Sequence, residues 1–218
     1  MADQLYLSLW FPNFRLDSLP AAMVSVMRQF ALISKDSRVA AASAYPISFT
    51  EAPSYQRIYV LDDRSEESPA ALIESAVAEA TEQLHDDTAY EFEMRWKLWS
   101  PDTTGNQVTE SAALDTLWKL QPSTVRFLGF GPEFDDATFE QNGHIRIDFG
   151  LDTPWLAETL DEEELDAAAT KHIQQNVEIL LAFILLVEKN SGISSRLLWT
   201  ESGEPLAQKL IDRLQRVN

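Results

Sequence analysis

Residues 4 to 11, QLYLSLWF, set Leu5, Leu7 and Leu9 against Tyr6, Ser8 and Trp10, the two-residue period of a strand, which Pro12 and Asn13 close. The period then changes. Between Ser18 and Ile33 the apolar residues Leu19, Met23, Val26, Met27 and Phe30 fall on one helical stripe, with Ser18 as a cap and Pro20 in the tolerant first turn. Residues 39 to 45 read as a second strand, and YQRIYVL at 55 to 61 as a third, rich in β-branched and aromatic residues. A second helix is predicted from 69 to 84, where Leu72, Ile73, Ala76, Val77, Ala80 and Leu84 recur at three- or four-residue steps opposite Glu74, Glu79 and Glu82. The clearest alternation follows. Tyr90, Phe92, Met94, Trp96 and Leu98 face one way and Glu91, Glu93, Arg95 and Lys97 the other, as in an antiparallel strand with one solvated face.

The order over residues 4 to 99 is strand, helix, strand, strand, helix, strand, which suits a ferredoxin-like unit with two helices on one side of the sheet. After a loop at 100 to 107, the pattern predicts a short helix near Glu110 to Leu120 stopped by Pro122. Two strands, 124 to 131 and 143 to 150, then form a hairpin across the acidic connection PEFDDATFEQN. A long helix runs from the acidic cap at Asp161 to about Lys189, an irregular link follows, and an amphipathic helix is predicted from 204 to 216. The fold class expected is α+β: an antiparallel sheet with helices on one face. Residues 1–103 form a ferredoxin-like lobe, and residues 104–218 a second α+β lobe with the hairpin and a helical C-terminal part, the two free to pack as one domain.

The apolar run Ile179 to Val187 raises the question of a membrane. As a helix it spans about 14 Å, against roughly 30 Å of hydrocarbon, and Glu178, Glu188 and Lys189 bound it. It reads instead as a helix enclosed on more than one side, or as the seam of a homo-oligomer.

Composition narrows the classes. Apolar residues make up 45% of the 218, a folding composition. With 35 acidic against 17 basic residues and a formal charge of -18, the chain offers no basic stripe for phosphates, so nucleic acid is excluded as a partner and a protein with a basic surface suits the field. The absence of cysteine removes thiol chemistry and disulfides. The opening MADQLYLSLW has no basic region before its apolar stretch, so a cytoplasmic protein is expected.

Motifs of defined chemistry are scarce. Gly129-Phe130-Gly131 lacks a third glycine and runs into Pro132-Glu133, so it reads as a bend or a close backbone approach, not a nucleotide loop. The histidines are scattered, and neither a metal nor a cofactor is expected. Candidate catalytic groups are Asp135, Asp136 and His144, the carboxylates lying in the acidic loop at 133 to 140, where they could serve a hydrolase or a metal-assisted enzyme. Candidate ligand contacts are Asp148, Asp152 and Trp155 at the end of the second hairpin strand. The expectation that follows is a non-catalytic binding, adaptor or structural protein, with the carboxylate-dependent enzyme as the alternative.

Overall fold

The structure, a computed structural model, describes residues 2–59, 69–101, 118–135, 142–156 and 167–202. Strands β1 (Gln4–Trp10), β2 (Ala41–Pro46), β3 (Tyr55–Ile58), β4 (Thr88–Pro101), β5 (Trp118–Phe130), β6 (Ile145–Leu151) and β7 (Ser195–Thr200) form one sheet in the order β3-β2-β4-β5-β6-β1-β7. Every pairing is antiparallel. The helices are α1 (Leu19–Ser34), α2 (Pro69–Ala80), the single turn α3 (Thr153–Leu156) and α4 (Ala167–Asn190). The protein is therefore of mixed α+β class.

The alternation seen in the sequence decides what each strand buries. Leu5, Leu7 and Leu9 of β1, the Tyr90-to-Leu98 set of β4, Val125 and Phe127 of β5 and Ile145, Ile147 and Phe149 of β6 are buried in one cluster. Residues of α1, α2 and α4 complete it: the helical stripe Leu19, Met23, Val26, Met27 and Phe30 is fully buried. Phe30 sits at its centre, with ring centroids 5.2 Å from Trp96, 5.2 Å from Phe127 and 5.5 Å from Phe183. Among the described residues one stretch, Leu16–Ser34, is long and apolar enough to cross a bilayer, but its apolar stripe is spent on this core.

The first four strands do not close into a ferredoxin-like sheet. Their order along the chain is as expected, yet β5 and β6 lie between β1 and β4, so β1 pairs with β6 and β7 instead. Sequence order fixes the elements and leaves the partners of each strand open, because the long pairing of β4 with β5 takes the edge that β1 would need. The boundary at 103/104 lies outside the described residues, and strands from both sides of it join in the one sheet.

Other differences have local causes. The helix predicted to reach residue 84 ends at Ala80, where the Tyr90 hydroxyl accepts the His85 N–H (2.9 Å) and donates to the Gln83 carbonyl (2.9 Å), holding the chain in a turn. Trp118–Leu120, expected at the end of a helix, is strand paired with Trp99–Pro101, and residues 110–117 of that helix lie outside the described residues. Pro122, expected as a stop, sits inside β5, where among the described residues the strand has β4 as its single ladder neighbour, a setting that tolerates proline. The irregular link after α4 is strand β7, an edge strand whose outermost residues show no clean alternation. The acidic cap at 161–166 and the helix at 204–216 lie outside the described residues.

Beyond Glu93 and Arg126 the strands β4 and β5 pair only with each other among the described residues, making a two-stranded arm. Buried Asn176 of α4 fastens it. Its side-chain oxygen accepts the Trp99 N–H (2.9 Å), and its amide donates to the carbonyls of Trp99 and Pro154 (2.8 Å each). His172, one turn earlier, stacks on Trp99 at 3.9 Å and lies 5.6 Å from Trp118.

Candidate functional site

The residues that alternate with the core set occupy the other side of the sheet, and the strand register orders them into rows. One row runs Ala41, Glu93, Arg126, Asp148, Tyr6, Trp199 across six strands. The next runs Ser43, Glu91, Leu128, Arg146, Ser8, Leu197. Cross-strand neighbours on one face interact directly, so the sign of each charge and its place in the row decide what is neutralised.

The first row is closed. Arg126 Nε donates to Glu93 at 3.2 Å, and its guanidinium stands 3.8 Å from Asp148. Burial works against the Arg126 cation, but the bond to Glu93 and the surrounding carboxylates of Glu91, Glu93 and Asp148 together outweigh it and raise its pKa above the ordinary value. Asp148 also accepts the Gly150 N–H (2.8 Å) and the Gln4 side-chain amide. Tyr6 and Trp199 complete the row with ring centroids 4.6 Å apart, and Trp199 Nε1 donates at 2.9 Å to the buried Ser8 hydroxyl in the row beside it.

The second row is open. Glu91 and Arg146 flank the buried Leu128, two strand spacings apart, which is about 10 Å. Among the described residues neither side chain makes a hydrogen bond or an ion pair. The Arg146 guanidinium is held instead between the rings of Tyr6 and Phe130, at 5.2 and 5.3 Å from their centroids. Its Nε is enclosed without an acceptor, and burial lowers its pKa below the usual arginine value. Burial pushes the Glu91 carboxyl up, with Arg126 pulling the other way. Glu91 also lines a cavity of about 460 Å³ shared with Ser43, Tyr45, Glu93 and Arg126.

One end of this face is walled. Ala89, Leu128, Phe130 and Phe134 form a small apolar cluster with Tyr45 packed on it, and Phe49 closes on Phe134 at 5.0 Å. Gly131 makes the wall fit: a Cβ there would stand 2.3 Å from the Asp86 carbonyl oxygen, so the close backbone approach read from the sequence is present. Asp135 lies on this wall, its N–H donating to the Ile47 carbonyl (2.9 Å), near enough to act electrostatically on Arg146. A larger groove of about 630 Å³ separates α1 from α2, but the charged pair lining it, Arg28 and Glu74, is already joined.

The residues singled out in the sequence are dispersed. His144 Nδ1 accepts the Phe11 N–H (2.9 Å), its ring stacks on Phe14 at 4.1 Å, and burial lowers its pKa. Asp136 lies outside the described residues. Asp148 belongs to the closed row. Asp152 is fully buried, accepting the Asp3 N–H (3.0 Å) where α3 begins. Trp155 is buried on the opposite side of the sheet from Asp148, 5.9 Å from Trp96 and 6.1 Å from Phe149 by ring centroid. Among the described residues no three carboxylates or imidazoles are grouped to hold a metal. Glu91 and Arg146 were each legible as polar positions of an alternating strand; that they share a row, and lack partners there, depends on a register the sequence does not state.

No family model, no curated protein and no solved structure matches this chain.

Proposed function

We propose that the protein is a non-catalytic binding or adaptor protein that receives a basic protein partner on the charged face of its sheet. One observation carries the reading: the Glu91 and Arg146 side chains stand unpaired in one row, on strands separated only by β5, while the row beside them is closed. A lysine or arginine of the partner pairs with Glu91, and a carbonyl or carboxylate within about 10 Å of it accepts from Arg146, whose planar fork suits a two-point acceptor. The formal charge of -18 steers a basic surface toward the protein and suppresses acidic competitors. The rings of Tyr6 and Phe130 fix the guanidinium before contact, which lowers the ordering cost of binding. A cytoplasmic location accords with this reading.

The test uses an array of fluorescent decapeptides, each carrying one lysine and, at varied spacing, one glutamate or none, with binding read by anisotropy at low and moderate salt. Peptides with both charges bind the wild-type protein best, and Arg146→Met and Glu91→Gln each weaken that binding by about tenfold or more. The reading is overturned if no peptide binds, or if both variants bind as the wild type does.

A further inference from the structure

The apolar run of α4 was expected to be enclosed on more than one side, and the structure corrects this. Leu180, Phe183, Ile184 and Val187 enter the core, while Leu181 and Leu185 are 47% and 59% exposed. They lie on the outward stripe of the helix, next to the half-buried Ala182 and Leu186. Charges of opposite sign bracket them: Glu178 is exposed on the N-terminal side and Lys189 on the C-terminal side, in line with Leu181 and Leu185.

We propose that the protein self-associates through this stripe, a second copy of the chain laying its own α4 antiparallel across the first. The pattern is self-complementary under a two-fold axis, as an isologous contact requires. With the axis level with the 183–184 peptide bond, Glu178 of one copy meets the partner's Lys189, and the reverse pair forms at the other end, about 16 Å along the helix. Between them Leu181 meets the partner's Leu186, and Ala182 the partner's Leu185. The other charged groups nearby do not compete. Glu188 is already held by Arg196 at 2.8 Å, Gln174 donates to Glu178 at 3.0 Å and presents it outward, and Lys189 makes no ion pair among the described residues. A parallel arrangement would set Glu178 against Glu178 and Lys189 against Lys189, so the charges select the direction as well as the partner. This contact is independent of the Glu91–Arg146 row and stands or falls apart from it.

Sedimentation equilibrium on the full chain, from micromolar to millimolar concentration, tests it. The wild type is expected to rise from the chain mass of 24.6 kDa to twice that value. Leu185→Glu is expected to remain at 24.6 kDa with an unchanged circular dichroism spectrum. Glu178→Lys and Lys189→Glu each weaken association by about tenfold or more, and the double variant recovers it, because both pairs re-form with reversed sign. These exposed charge changes keep the test decisive even if Leu185→Glu perturbs folding. A wild type that stays at 24.6 kDa throughout overturns the proposal, as does a dimer indifferent to the charge reversals or a double variant that fails to recover.

Discussion

The two faces of the sheet are made by the same strands, one residue out of phase, and they are held by different physics. On the buried face Phe92, Phe127 and Ile147 lie in one cross-strand row, fully buried with no polar atom in their side chains. One position along, Glu93, Arg126 and Asp148 form a row joined by charge. The first face gains from area removed from water and fails when volume is lost. The second gains little from its ion pairs, and its value lies in which charges are left over. Stability and selectivity are thus separated by one step of the backbone.

The largest expected effect tests the apolar face. Phe30→Ala removes the ring that joins Trp96, Phe127 and Phe183 and should destabilise the protein by about 3–5 kcal/mol in urea unfolding followed by circular dichroism. A loss below about 1 kcal/mol would break the comparison, since Phe30 would then act like a surface residue. Arg126→Met opens the closed row. The cost should be no more than about 1 kcal/mol and should shrink with added salt, because the guanidinium is half exposed.

The smallest effect has the opposite sign. Glu91 holds its proton more tightly in the folded protein than at the ordinary carboxyl value of 4.5. Folding therefore takes up a proton between those two values, stability falls as pH rises through that window, and the ionised side chain is a liability above it. Glu91→Gln should melt slightly higher than the wild type at neutral pH, with the difference closing as the pH is brought below 4.5. Equal melting temperatures at neutral pH would show that Glu91 is better compensated than its open row implies.

The elements were legible where one periodicity ruled. The stripe from Leu19 to Phe30 and the alternation from Tyr90 to Leu98 lie where the pattern put them, since burial on one side leaves a helix or strand little choice. Strand order was not legible. Nothing local in QLYLSLW tells β1 to insert between β6 and β7, because antiparallel partners far apart in sequence are chosen by the assembled core. The site was hidden for the same reason. Glu91 and Arg146 are 55 positions apart, each a polar residue of its own alternating strand, and only the interposed Leu128 sets them in one row. The acids crowded at 133 to 140 stand out in the sequence, but crowding along the chain is a poor guide to convergence across a sheet.

The arm formed by β4 and β5 has a mechanical consequence. Its outer half has no flanking strand among the described residues, and Asn176 ties its backbone to α4 from both the N–H and the carbonyl of Trp99. A pull on the outer end of the described ladder breaks the rungs at Pro101 and Ser100 before it meets Trp99, where the Asn176 amide and the stacked His172 ring together behave as a latch. Behind that latch Met94, Trp96, Leu98 and Val125 are buried in the shared core, so local opening is confined to the outermost rungs and the rest of the arm opens only with the sheet.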